Sequence, residues 1–340
     1  MLMKKWLLTF AALFCAIGAY AQNLKSYMPA DAIFVGSANG TAFLESNFIR
    51  RLIFISTQKT MEDILKEKGQ TLEQAKKQCG VALFYLKVIP GNSAAVQMDG
   101  GAIVYGSAKD SCKDINNITQ QSLDAELKKN ADVLALAQQS GIKFELIKVA
   151  GKNSVLVSIP NPAAMQFVLT GITDRTCQVR FASGKPAEKA LLKPLKQYSA
   201  LTKKIDGKAL FSIAADVQTV TKLNPQMQQD PVANGIKVAS ASISEINNNL
   251  ILQAEIEATS PDAANMLHAQ INALITTLKN DPANKALADM MKLTLKGNNV
   301  EFKGVFPVDF VINAIKSTLA NIPQQNVPGA APVPAVPAAK

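Results

Sequence analysis

The chain has 340 residues, 48% of them apolar, and a formal net charge of +10 carried mostly by lysine. That length accommodates two ordinary domains with sizeable cores. The arginines are Arg50, Arg51, Arg175 and Arg180, and the lysines are spread along the chain; this argues against a nucleic-acid partner, which selects arginine forks and aromatics interleaved with basic residues.

The first residues place Lys4 and Lys5 before an apolar run from Trp6 to Ala19, followed by Ala19-Tyr20-Ala21. A basic start, a short apolar stretch and small residues at the cleavage box predict a signal peptide over residues 1–21, with Gln22 as the new N-terminus. The run is short for a spanning helix, which needs about 20 apolar residues. Cys15 lies inside it, but Phe14 precedes it where a lipidation site needs a small residue. The protein is therefore expected to be exported, periplasmic or extracellular, and not membrane-spanning after cleavage. Lys4 and Lys5 leave with the signal, and Trp6, the chain's one tryptophan, goes with them.

Ala32 to Val35 reads as a strand, followed by a helix from Phe43 to Ile55. Thr60 with Asp63, and Thr71 with Gln74, have the spacing of capping boxes opening two short helices. Gly80 reads as a glycine ending the second of them. Strands are predicted at Val81–Val88 and Gly101–Ser107, with a tight turn at Asp99-Gly100-Gly101. Asn117 to Gln139 has helical spacing. Ile142–Val149 and Ser154–Ile159 read as a hairpin about Gly151-Lys152-Asn153. A helix is expected from Pro162 to about Leu169, then a strand at Cys177–Phe181.

Pro186 to Lys204 reads as a lysine-rich helix. Strands follow at Ala209–Phe211, Ile236–Ile246 and Leu250–Ala258, the last two joined at Asn247-Asn248-Asn249. Ser260-Pro261 opens a long amphipathic helix with an apolar face of Ala264, Leu267, Ile271, Leu274, Ile275 and Leu278. A second helix begins after Asp281-Pro282. Strands flank Gly297-Asn298-Asn299, and a last helix runs from Pro307 to about Leu319. From Pro323 five prolines interrupt alanine and valine, which predicts an extended tail over 323–340.

The halves look alike. Ala32-Ile33-Phe34 leads to Asn39, and Ala209-Leu210-Phe211 leads to Asp216, each polar residue placed to cap a following helix. Gly151 through Pro160 to Phe167 and Val168 is matched with Gly297 through Pro307 to Phe310 and Val311. Thr60 to Cys79 is the extra material of the first copy. Hairpins separated by helices give an α+β class: two related units, each an antiparallel sheet with helices packed on one face, over residues 22–185 and 186–322.

Chemistry is conspicuous by what is missing. His268 is the one histidine, set on the edge of an apolar helix face, so a Ser-His-Asp or Cys-His arrangement is open only with His268 as its base, and a histidine-rich metal centre has no material. Ser56-Thr57-Gln58-Lys59 fits S-x-x-K, but its companions S-D-N and K-T-G are absent. No Walker A, G-x-G-x-x-G or C-x-x-C occurs. Glu255 and Glu257 lie on one face of a strand, as an acid-only site would require. After export three cysteines remain, Cys79, Cys112 and Cys177, of which two can pair in an oxidising compartment.

Met28-Pro29-Ala30-Asp31-Ala32 before an apolar strand resembles a loose class of uncharacterised exported bacterial proteins that open this way and repeat an α+β unit; the resemblance carries over no functional residue. The expectation is an exported, non-enzymatic binding or scaffolding protein of the cell envelope, with no catalytic, cofactor-binding or metal residues assigned and no cofactor. Its partner is an acidic envelope polymer or another envelope protein. The alternatives are an envelope hydrolase with a carboxylate site and a carrier of an apolar ligand.

Overall fold

The computed structural model describes residues 28–89, 97–106, 112–129, 134–135, 138–149, 151–160, 165–183 and 199–320. The expected signal peptide (1–21) and tail (323–340) lie outside these residues. Among the described residues, segments rich in β-branched, aromatic and other apolar side chains form twelve strands: β1 (Phe34–Asn39), β2 (Val81–Ile89), β3 (Gln97–Tyr105), β4 (Lys143–Val149), β5 (Lys152–Ile159), β6 (Met165–Thr173), β7 (Thr176–Ser183), β8 (Phe211–Asp216), β9 (Ile236–Ile246), β10 (Asn249–Ala258), β11 (Met291–Lys296) and β12 (Asn299–Pro307). They make one sheet in the order β11-β12-β10-β9-β8-β1-β2-β3-β7-β6-β5-β4, and every pairing is antiparallel.

The class is α+β, but the two expected sheets join edge to edge through β1 and β8. An unpaired strand edge leaves backbone donors and acceptors exposed, and this pairing satisfies them for both halves. Phe34 lies opposite Ala215 and Ala38 opposite Phe211, so Phe34 and Phe211 take equivalent places about the central pair. The chain then runs outward in the same order on both sides, β1-β2-β3-β7-β6 and β8-β9-β10-β12-β11. The hairpin β4–β5 is an addition outside β6. Hence the Gly297 hairpin matches β6–β7 in position, and its pairing with the Gly151 hairpin is corrected.

Among the described residues the helices are α1 (Gly40–Glu45), α2 (Asn47–Thr57), α3 (Met61–Glu67), α4 (Leu72–Gln78), α5 (Lys113–Asn116), α6 (Gln120–Lys129), α7 (Val217–Leu223), α8 (Pro225–Gln228), α9 (Pro231–Asn234), α10 (Pro261–Asn280), α11 (Lys285–Asp289) and α12 (Val308–Ala320). Asn39 caps α1, accepting from the Ala42 N–H at 3.0 Å. Asp216 caps α7 in the same way, from Thr219 at 2.9 Å. Both capping boxes close at Thr60 and Thr71. Ser260 caps α10 with Pro261 in its first turn.

Other expectations are corrected. Ser46 divides the helix expected at 43–55 into α1 and α2. Cys79 is extended and leads directly into β2, and Gly80 has no left-handed conformation. Asp99-Gly100-Gly101 is no turn but the middle of β3, opposite Lys87, Leu86 and Tyr85. Gly100 is needed there because the Phe181 ring lies over it; a Cβ would meet the ring at 2.3 Å. Phe167 and Val168 belong to β6 rather than to a helix, since β5 and β7 hydrogen-bond both its edges. Of the expected 186–204 helix, residues 186–198 lie outside the described residues and Ala200–Lys204 is a 3-10 turn. Leu274 is exposed on α10, because the buried stripe follows Ala264, Leu267 and Ile275.

Helices α2, α10 and α12 cover one face of the sheet, and α2 and α12 tie the halves together there. From the first half, α2 packs with α12 in a cluster built on Leu210, Leu250, Val308 and Ile312. Further out, Ala264 and Leu267 of α10 cover Ala258 and Val300. Glu245 of β9 reaches the start of α2, accepting from Ser46 Oγ at 2.5 Å and from the N–H groups of Asn47 and Phe48 at 3.2 and 3.1 Å. A carboxylate there satisfies free N–H groups and complements the helix dipole. Glu245→Ala is therefore expected to lower stability by about 1–2 kcal/mol, read from the urea midpoint; an unchanged midpoint would show that this cap contributes nothing.

Candidate functional site

Strand register sets the polar face of the second half. Directly opposed residues share a face, and three rows cross it. The first is Ser212, Ser242, Gln253, Lys303 and Lys292; the second is Ala214, Ser240, Glu255, Glu301 and Thr294; the third is Asp216, Val238, Glu257, Asn299 and Lys296. With Lys204, which ends the 3-10 segment, and Asp206 just after it, the first two rows from Ser242 and Ser240 outward and Lys296 of the third line an open cleft of about 480 Å³.

The acidic rows carry their own counter-ions. Lys204 Nζ lies 2.7 Å from Glu255 and 3.7 Å from Glu257. Lys237 donates to Glu257 at 2.7 Å, and Lys296 donates to Glu301 at 2.8 Å. The Lys237 hydrogen bond, helped by the charge of Lys204, holds the Glu257 carboxyl below its ordinary range. That keeps Glu257 anionic near neutrality, the reverse of what a general acid needs. Glu255 and Glu257 do share a face as the sequence suggested, but Lys204 bridges them.

The first row is different. Lys303 and Lys292 are exposed and directly opposed, and neither makes an ion pair among the described residues. Like charges facing each other across strands destabilise the pairing. Gln253 and Ser242 continue the row with an amide and a hydroxyl. The row can therefore donate to an anion from four neighbouring strands.

The first half carries a cation at the equivalent place and neutralises it. Arg180 lies opposite Gly101, Gly101 opposite Tyr85, and Tyr85 opposite Val35. Lys303, Gln253, Ser242 and Ser212 repeat that path in the second half. Arg180 is buried with Asp99, its Nη2 3.5 Å from Oδ2, and Lys87 Nζ lies 3.3 Å from the same oxygen. Asp99 is wholly buried. Burial also pushes the Tyr85 phenol above its ordinary range, against the pull of Arg180. At the Asp99 position the second half has Ile251, opposite Val305 as Asp99 is opposite Ala182.

The remaining sequence candidates are not brought together. Ser56 Oγ donates to the Leu52 carbonyl, while Lys59 pairs with Glu67. Gln58, in the left-handed conformation, ends α2 between them, so Lys59 does not follow Ser56 on one helix. His268 is half-buried on α10 beside buried Leu267. Asn39 and Asp216 are engaged as helix caps. No group of three metal-ligating side chains occurs among the described residues. Cys112 and Cys177 form a disulfide, and Cys79 is buried in the cluster of Leu44, Ile49 and Met61.

The lysine row was not found from sequence. A signal was present, since Met-Lys-Leu-Thr-Leu-Lys at 291–296 and Glu-Phe-Lys at 301–303 alternate charged and apolar residues. Which lysine faces which depends on register.

No helix of the described residues is long and apolar enough to cross a membrane. No protein-family profile matches the chain, and no curated protein is similar to it. Among solved structures the chain is similar to crystal form III of TP0453, at 9% identity and a TM-score of 0.43, covering 86% of this chain and 97% of that one. Crystal form I of the same protein gives 10% identity and a TM-score of 0.42, covering 88% and 98% of the two chains. Crystal form IV gives 12% and 0.41, covering 86% and 95%.

Proposed function

We propose that this chain is an exported, non-enzymatic binding protein of the bacterial cell envelope, built from two copies of one α+β unit, which holds an acidic partner in the cleft of its second half. The opposed pair Lys292 and Lys303 is the observation that carries this reading, because it concentrates two uncompensated cations where the acids of the next row, Glu255 and Glu301, already have lysines. Export is supported by the basic, apolar and small-residue pattern of residues 1–21, and it suits the disulfide, which persists in oxidising compartments. Duplication is supported by the matching outward strand order and by the matching caps Asn39 and Asp216. The ion-paired state of Glu255, Glu257 and Glu301 favours binding over acid-based hydrolysis.

The test is binding of a soluble polyanion by protein expressed from the full-length chain, measured calorimetrically at low and physiological salt. Lys292→Ala with Lys303→Ala is expected to weaken binding about tenfold, the order given by two exposed charge contacts. Raising the salt should shrink the difference. Equal affinity of parent and double variant would remove the cleft from this reading.

A further inference from the structure

The two halves share a cation position and differ in what neutralises it. In the first half Arg180 and Lys87 both turn to Asp99, and the cluster is buried. In the second half Lys303 stands where Arg180 does, with Ile251 at the Asp99 position and Lys292 added opposite. One half thus supplies its anion from within, and the other leaves the equivalent cation facing an open cleft with a second cation, an amide and a hydroxyl in line.

Resting on the reading of the cleft as the site for an acidic partner, we infer that the row Ser242–Gln253–Lys303–Lys292 takes the phosphate groups of a phosphorylated polymer. The rigid arginine fork matches carboxylate and phosphate alike, and the cleft lining contains none, so an anion in this row meets lysine. Two ammonium groups act as point charges with several rotatable donors each, and Ser242 and Gln253 add neutral donors on two further strands. Such donors converge on a tetrahedral oxyanion, whose oxygens point in different directions. Neighbouring strands are about 4.8 Å apart, so the row presents donors over a length that suits consecutive phosphates. Glu255 and Glu301 lie in the next row, but Lys204 and Lys296 neutralise them at 2.7 and 2.8 Å.

The experiment titrates protein expressed from the full-length chain with inorganic polyphosphate, with polygalacturonate of matched length, and with inorganic phosphate. Polyphosphate is expected to bind at least tenfold more tightly than either other probe. Ile251→Asp places beside Lys303 the carboxylate that Arg180 has in Asp99, and should weaken polyphosphate binding about tenfold with both lysines retained. Lys303→Gln, which removes one of the two charge contacts, should weaken it about threefold, and both variants are checked for an unchanged melting temperature so that a folding defect is not read as lost binding. If Ile251→Asp misfolds, Lys303→Gln alone decides the site. Polyphosphate affinity unchanged in a folded variant would overturn the assignment of the row. Equal, lysine-dependent binding of polygalacturonate would overturn the phosphate class while leaving the acidic-partner reading intact. Inorganic phosphate binding as tightly as polyphosphate would overturn the polymer. Failure of all three probes would overturn both readings.

Discussion

Reducing the Cys112–Cys177 disulfide is expected to lower the stability of the folded chain by about 4 kcal/mol, the chain-entropy value for a loop of this length. The two cysteines are 65 positions apart. The bond fastens the segment entering α5 to β7, and the Cys112 N–H also donates to the Asp174 carbonyl at 2.6 Å. Next to it α5 lies tightly on β6, where a Cβ at Gly171 would meet the Asn116 backbone at 2.3 Å. Without the bond the unfolded chain regains the freedom of a long loop, so the transition moves to lower urea with a small change in slope. The measurement is the urea midpoint with and without reductant. A midpoint indifferent to reductant would mean that the bond contributes nothing to stability.

Asp99→Ala should cost about 3–5 kcal/mol, the range for breaking a buried ion pair by removing one partner. The side chain of Asp99 is 0% exposed, that of Arg180 5% and that of Lys87 19%, so two cations would lose their nearest anion in a setting where water replaces it poorly. The expectation becomes specific through a double-mutant cycle. Arg180→Ala also costs stability, since Asp99 then keeps only Lys87 as a close cation. The double variant should be less destabilised than the sum of the singles, because neither strands the other's charge. Strict additivity in denaturation midpoints would show that the two groups do not interact across β3 and β7.

Local rules were legible wherever a few neighbouring residues decide the outcome. Thr60 with Asp63, and Thr71 with Gln74, encode their capping boxes, and Ser260-Pro261 encodes the start of α10. Asn247 and Asn248 mark the β9–β10 turn because asparagine tolerates positive φ, and both adopt it. The matched caps Asn39 and Asp216 were visible as a repeated pattern. Met165 to Thr173 was not legible, since a short apolar run suits helix and strand alike and the pairing of both its edges decides for strand. Asp99-Gly100-Gly101 has turn composition, and the buried cations and the Phe181 ring that explain it come from β2 and β7.

By itself the sequence determined the α+β class, the β9–β10 hairpin, the helix caps and the scarcity of catalytic motifs, since each depends on residue type and spacing over one or two turns. Tertiary structure alone decided which cysteines pair, that two sheets become one through β1 and β8, and that Lys292 faces Lys303 while Arg180 is buried with Asp99. Those outcomes are set by strand register between segments far apart in the chain, and a shift of one residue would turn each side chain to the opposite face.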